Sequence, residues 1–508
     1  MPSPFDPNSQ SFTLGIIGSG AMGRGIAQIA AQAGLVVRLF DSNPDALASA
    51  KKNIEATLAR LVEKGKLDQV KADQALAGLH WCSSLADLVG SELIVEAIVE
   101  NLAVKQKLFA ELEPQVSETT VLASNTSSLS VTAIAAGLKH PERFVGWHFF
   151  NPVPLMKVVE VVDGARTSRA VGDAMMALSR RIGHTAVRAK DTPGFIVNHA
   201  GRAFNTEALR IVGEGVCQFV DVDRVMREAC GFRLGPFELM DLTGLDVSHP
   251  VMESIYHQYY EEPRFRPSVI AAQRYAAGLL GKKSQIGFYD YREGAMAIQE
   301  APVPSELPQR VFVSRADEGH FERVSGLVAA RAALTGEATA ADLVVVMPLG
   351  QDATTAATNE GLDPERTVAF DVLTPASKRR TLMTTPVTSP KAAAFAHALF
   401  AADAVAVTVI TDSVGFIAQR ILAMIVNVAC DIAQQKIASP GDIDLAVQLG
   451  LNYPQGPLAL GDALGAKTVY RILKNLQDST GDPRYRPSPW LARRAALGIS
   501  LLREDNRS

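Results

Sequence analysis

FTLGIIGSGAMGRGIAQIAAQAGLVVRLFD, residues 12–41, is the stretch whose reading decides the fold. Residues 12–17 form a short apolar run that ends at a glycine-rich turn, and after the turn Ile26, Ala27, Ile29, Ala30 and Ala33 recur at helical spacing. The pattern predicts strand, tight turn, helix, and then a second strand closing on Asp41. Within the turn, Gly18, Gly20 and Gly23 make G-x-G-x-x-G, with Met22 between the last two. Each glycine meets a separate requirement: Gly18 the tight turn, Gly20 the close approach of a pyrophosphate, and Gly23 the packing of helix on strand. The helix N-terminus adds unpaired N–H groups and a positive dipole end. These residues predict a dinucleotide site.

Asp41 stands where a carboxylate accepts both ribose hydroxyls and repels a 2′-phosphate, and Ser42 and Asn43 follow it rather than Arg. NAD is therefore expected over NADP. The competing reading makes Asp41 a turn residue or helix cap before Pro44.

Outward from this motif, apolar runs at 93–99, 121–123 and 144–150 alternate with helix-like segments, which implies a parallel sheet covered on both faces. From about Asp191 the texture becomes helical, through PGFIVNHAGRAFNTEALRIV, VDVDRVMREAC and PSVIAAQRYAAGLL. Residues 293–308 carry Pro302, Pro304 and Pro308 and read as a linker. Strand-like runs return at 343–347, 367–372 and 404–410, and helical texture follows from Gly415. The expected fold class is α/β: a Rossmann-type domain (1–190), an all-α domain (191–292), a linker with a degenerate second α/β unit (293–410), and a duplicated all-α domain (411–508).

The duplication rests on recurrence. KDTPGFIVN at 190–198 returns as TDSVGFIAQ at 411–419, and LGPFELMDLTG at 234–244 as QGPLALGDALG at 455–465, both 221 residues later. PRFRP at 263–267 returns as PRYRP at 483–487.

In 508 residues, a formal net charge of −4 argues against a nucleic-acid or anionic-membrane surface and favours a small-molecule substrate. No signal-like leader and no run of eighteen apolar residues stands out, so a cytoplasmic protein is expected. Cys82, Cys217, Cys230 and Cys430 are scattered without C-x-x-C spacing and read as reduced packing thiols. No H-E-x-x-H or comparable pair suggests a metal.

The stretch GWHFFNPVPLMKVVEVV (146–162) places His148 in one apolar run and Glu160 in another, with Pro152 and Pro154 between them. A chain reversal centred near Pro154 would set the two residues opposite each other on antiparallel strands. A buried carboxylate needs a partner, and a His–Glu pair supplies one. The carboxylate fixes the tautomer and leaves the second ring nitrogen as a base. A strand histidine that merely satisfies a core carboxylate is the bland alternative.

Taken together, GSGAMGRGIA (18–27), VEAIVEN (95–101), SNTSSL (124–129), HFFNPVPLMKVVEV (148–161), KDTPGFIVN (190–198) and LGPFELMDLTGLD (234–246) resemble the L-3-hydroxyacyl-CoA dehydrogenases, over residues 12–291. The resemblance implies a catalytic set of His148, Glu160, Ser127 and Asn198. It also implies that Glu100, Lys105, Ser127, Asn151 and Lys283 lie near the nicotinamide nucleotide and that Lys64 lies on an arm meeting coenzyme A. Bland readings stand beside these: Ser127 and Ser128 as helix caps, Asn198 as a solvated helix residue, Lys64 as an exposed lysine. Length and the added second half are similar to bacterial enzymes acting on 3-hydroxyadipyl-CoA or 3-hydroxybutyryl-CoA. Two rivals stay open: a dehydrogenase of a free 3-hydroxy acid such as gulonate or carnitine, and a non-catalytic NAD-binding protein.

The second half reads as catalytically silent. Aligning FNPV (150–153) with LTPA (373–376) puts Asp371 at the place of His148 and Met383 at that of Glu160, while Gln419 matches Asn198 and RVFVSRADEG at 310–319 has no glycine-rich turn. Its expected role is an intramolecular pseudo-dimer, with residues 411–508 packed on 191–291 and further homo-oligomers left open.

Overall fold

A computed structural model describes residues 3–506. β1 (Thr13–Ile17) enters a sheet, the chain turns at the glycines, and the helix Ala21–Gln32 buries Ile26, Ala27, Ile29 and Ala30, the face its spacing predicts. There follow β2 (Val36–Phe40), β3 (Leu79–Cys82), β4 (Leu93–Glu96), β5 (Val121–Ser124), β6 (Phe144–Phe149), β7 (Val158–Asp163) and β8 (Thr185–Lys190). Their order is β3-β2-β1-β4-β5-β6-β7-β8. Pairing is parallel throughout except between β6 and β7. Strand order reverses between β1 and β4, which opens a crevice beyond their C-terminal ends where ligands of such sheets bind.

The sequence pattern does not announce β3 or β8. LHWC is four residues long with His80 exposed, and TAVRAK mixes polar and apolar residues at a sheet edge, ending on an exposed lysine. Neither makes the continuous apolar run of an interior parallel strand.

The second sheet contains β9 (Arg310–Val313), β10 (Ala333–Leu334), β11 (Leu343–Val346), β12 (Thr367–Phe370), β13 (Arg379–Thr384) and β14 (Ala406–Ile410), in the order β10-β9-β11-β12-β13-β14. It ends as the first does, with an antiparallel pair and then a parallel one. β13 escapes sequence reading because it opens on Arg379 and Arg380. Both are buried, and both are charge-paired, Arg379 with Glu228 and Glu300, Arg380 with Asp403.

The duplication reaches into the α/β units. Asp191 accepts hydrogen bonds from Ser130 Oγ and from the Val131 and Thr132 amides at the start of the helix after β5. Asp412, 221 residues on, receives the Ala353 amide and Thr354 Oγ1 at the start of the helix after β11. The expected counterpart of Glu160 needs correction, however. β12 and β13 pair Phe370 with Leu382, and the Asp371 amide donates to the Thr381 carbonyl, so Thr381 and not Met383 faces Asp371. Ten positions separate Asp371 from Thr381 where twelve separate His148 from Glu160, because the second copy has lost two residues in the turn.

Packing gathers the chain into two compact units. One is the chain through His199 together with Gln435–Leu451, and the other is Ala200–Gln434 with the chain from Asn452. The units cut across the divisions at 190, 292 and 410, since packing joins segments that the sequence separates. In the first, the helix Pro440–Leu451 lies against β7 and β8. In the second, the helix Arg202–Gly213 runs along Ile417–Gln434. There buried Glu207 receives Arg420 at 2.8 Å, Arg484 at 3.1 Å and the Tyr485 hydroxyl at 2.8 Å. Ile417–Gln434 is the one helix among the described residues long and apolar enough to cross a membrane; 89% of it is buried inside the protein, as suits a core helix.

Candidate active site

β6 and β7 pair in a register that sets His148 directly opposite Glu160. His148 Nδ1 lies 2.6 Å from Glu160 Oε2, and both side chains are buried. Glu160 Oε1 accepts the amides of Ile196 and Val197, each at 2.9 Å. With both oxygens bonded, the carboxylate is held in one orientation, and it holds the imidazole with Nδ1 as donor and Nε2 as the available base. Phe150 and Phe195 flank the ring, at 4.4 and 5.7 Å between centroids.

Beside the dyad, the loop after β5 is gathered on Glu100. Its Oε1 accepts Thr126 Oγ1 (2.8 Å), the Ser127 amide (2.8 Å) and hydroxyl (3.2 Å), and the Ser128 amide and hydroxyl (both 3.0 Å). Burial raises the Glu100 carboxyl, but the Lys105 charge and the Thr126 and Ser127 hydrogen bonds outweigh it and hold the group below the ordinary range. Asn198 Nδ2 reaches the Ser127 carbonyl at 3.4 Å. The helix after the loop is capped by Ser130, whose Oγ accepts the Ala133 amide, and not by Ser127 or Ser128.

Sequence reading missed the group beneath this loop. Glu96, at the end of β4, is fully buried and receives Lys105 Nζ at 2.7 and 2.8 Å, the Ile98 amide at 3.1 Å and Ser124 Oγ. Lys105 also meets Glu100 at 3.3 Å, so one buried ammonium bridges two carboxylates. Glu96 was hidden as the one charge in an apolar strand. Asn125, also missed, accepts the Phe149 amide at 3.0 Å and ties the loop to β6.

The glycine-rich turn fits a dinucleotide. A β-carbon on Gly18 would sit 2.6 Å from the Ala97 carbonyl oxygen, and one on Gly23 would collide with the Gly18 carbonyl, whereas a β-carbon on Gly20 would meet nothing within 4 Å. The space over Gly20 is what a pyrophosphate needs, and no side chain caps the helix that starts at Ala21. Met22 is half-buried against the core. Asp41 Oδ2 accepts both the Ser19 amide (2.7 Å) and hydroxyl (2.8 Å), and Oδ1 accepts the Asn43 amide. Burial pushes this carboxyl up, but the Asn43 and Ser19 hydrogen bonds outweigh it and keep it below its ordinary value. Asn43, not Asp41, caps the helix Pro44–Glu63.

The remaining expected residues are Asn151, Lys64 and Lys283. Asn151 is exposed in the β6–β7 turn, and Lys64 is exposed at the C-cap of Pro44–Glu63. Lys283 belongs to the second compact unit, where it pairs with Asp246 at 2.6 Å.

The second sheet carries the same positions with other chemistry. Asp371 is buried, one oxygen accepting Gln419 Nε2 at 2.9 Å, and Gln419 also accepts the Gly350 amide at 2.7 Å. Beyond β9 and β11 lies a cleft of about 240 Å³ lined by Ser314, Asp317, Met347, Leu349, Glu360 and Arg471. Asp317 stands at the N-cap of the helix Glu318–Ala329, so a carboxylate occupies the place of a phosphate cradle.

Known proteins give the same picture. Residues 13–192 match the family model "3-hydroxyacyl-CoA dehydrogenase, NAD binding domain", and residues 194–291 and again 415–500 match "3-hydroxyacyl-CoA dehydrogenase, C-terminal domain". The chain belongs to the 3-hydroxyacyl-CoA dehydrogenase family, and it is an NAD-dependent oxidoreductase. Among its relatives is a 3-hydroxyadipyl-CoA dehydrogenase of Escherichia coli, 37% identical over 96% of this chain and 98% of that protein. The crystal structure of a 3-hydroxybutyryl-CoA dehydrogenase from Escherichia coli superposes with a TM-score of 0.85 at 37% identity, covering 96% of this chain and 98% of the other. The pig mitochondrial hydroxyacyl-coenzyme A dehydrogenase is 41% identical over 54% of this chain and 90% of its own length.

Proposed function

We propose that the protein oxidises a short or dicarboxylic L-3-hydroxyacyl-CoA, 3-hydroxyadipyl-CoA or 3-hydroxybutyryl-CoA, to the 3-oxoacyl thioester. The observation that carries the reading is the His148–Glu160 pair, buried, 2.6 Å apart and held by two amides. NAD, when bound, supplies the hydride acceptor; Gly18, Gly20, Gly23 and Asp41 would hold its pyrophosphate and ribose, with Glu100, Lys105 and Asn151 toward the nicotinamide. His148 Nε2 takes the proton of the C3 hydroxyl, and Glu160 stabilises the imidazolium that results. Ser127 and Asn198 orient the reacting oxygens, and excluding water around the dyad strengthens each of these contacts. Lys64 is assigned to coenzyme A, and the cytoplasm is the compartment we assign, supported by four free cysteines. We read the two helical repeats as an intramolecular pseudo-dimer, supported by the Glu207–Arg420 and Arg264–Asp431 pairs between them.

Steady-state oxidation of C4 to dicarboxylic C6 3-hydroxyacyl-CoA thioesters, beside gulonate and carnitine, tests the reading. Turnover of the thioesters with NAD is expected. Turnover of a free hydroxy acid alone, or of none, would overturn it.

A further inference from the structure

The segment 435–451 is carried on the second helical repeat, yet it is part of the first compact unit. The Lys190 amide, at the end of β8, donates to the Ile437 carbonyl at 2.8 Å. The helix Pro440–Leu451 buries Pro440, Ile443, Ala446 and Val447 as it packs on β7 and β8. Near its end stands Gly450, with an ordinary negative φ, so its lack of a side chain is not explained by backbone strain. Contact explains it: a β-carbon at Gly450 would lie 2.9 and 3.0 Å from the two γ-carbons of Val197. Val197 is the residue whose amide donates to Glu160.

The second compact unit packs the repeat-related elements with different side chains. Its turn Val225–Ala229 packs on β13 and on the helix Ile417–Gln434. By the 221-residue repeat, Ala229 stands for Gly450 and Ala418 for Val197. There the glycine position carries a methyl and the valine position lacks its two γ-methyls, so the pair is smaller by one carbon. No acid stands on β13 opposite Asp371.

We propose that the silent half completes the active site of the other, and that Gly450 is a positioning residue which seats Val197 so that its amide holds Glu160, and through it His148. This rests on the proposed function of the dyad. The smaller pair at these positions in the other unit makes the claim testable in the full-length protein. Gly450→Ala should lower kcat about tenfold, in keeping with the rate lost to a small misplacement. The KM for acetoacetyl-CoA and the Kd for NADH should stay within about twofold, because neither is held by this contact. Gly450→Ala with Val197→Ala removes the two γ-carbons that the new methyl would meet, leaving alanine at both positions as in the second unit, and should recover most of the lost kcat. If Gly450→Ala does not fold, the double variant still decides the matter, since it should fold and turn over. A kcat for Gly450→Ala within twofold of wild type overturns the proposal, as does a folded double variant no faster than the single one. A wild type that reduces no acyl-CoA thioester overturns the proposed function and this inference with it; an active wild type indifferent to Gly450→Ala overturns this inference alone.

Discussion

Nδ1 of His148 and Oε2 of Glu160 are 2.6 Å apart, across two antiparallel strands that bring them into direct register. Because Glu160 spends its other oxygen on the Ile196 and Val197 amides, the carboxylate cannot rotate to release the ring. His148→Gln keeps size and a hydrogen bond but removes the base. Turnover should fall by about two or more orders of magnitude, while NADH titration by fluorescence stays near wild type. Near-normal turnover would remove His148 from the mechanism.

Asp41 is fastened by two hydrogen bonds to Ser19, within the glycine-rich turn that follows β1. A strong preference for NAD follows. Asp41→Ser with Ser42→Arg should move kcat/KM toward NADP by removing the charge that repels a 2′-phosphate and adding one that attracts it. Equal use of both cofactors by the wild type would contradict this role.

Glu96 and Lys105 form a fully buried ion pair. Glu96→Gln leaves the ammonium without its principal partner and should cost about 3 kcal/mol in urea unfolding, as breaking one side of a buried pair does. Adding Lys105→Met removes the stranded charge and should return much of that stability. If the double variant is no more stable than the single, the ion pair is not what the stability depends on.

Asp371 takes the place of His148 in the second sheet, and burial pushes its carboxyl up to about 6. An unfolded aspartate titrates near 3.9. Between those values the native state binds a proton that the unfolded state has lost, so stability is full below about pH 4 and declines as pH rises to about 6. The loss is about 2–3 kcal/mol at neutral pH. Asp371→Asn should therefore raise the melting temperature at pH 8 and raise it much less at pH 4.5; equal effects at both would refute the assignment.

Among the described residues, one glycine-rich turn opens a helix after a strand and one His–Glu pair is buried on both sides. Isothermal titration with NADH should saturate at one equivalent per chain. Two equivalents would mean that the cleft beyond β9 and β11, with Asp317 at its helix N-cap, also accepts a dinucleotide.

Much of this was legible without coordinates, where local rules apply. The strand–turn–helix at 12–41 is set by residues adjacent in sequence, with Gly18 supplying the positive φ of the turn and Gly23 packing on the Gly18 carbonyl. The opposition of His148 and Glu160 followed from a turn at Pro152 and Pro154, because an antiparallel hairpin relates residues by simple counting. The same counting failed in the second half, where two deleted residues shifted Glu160's counterpart from Met383 to Thr381, a gap invisible without strand register.

The tertiary structure alone decided what depends on contacts between distant segments. Arg379 and Arg380 make an unpromising strand until Glu228, Glu300 and Asp403 are brought to neutralise them. Glu96 in an apolar run means little until Lys105 and Ser124 converge on it. That a helix from the second repeat packs against the strand carrying Glu160 has no signature in the sequence at all, since periodicity reports which face is apolar and not which surface will cover it.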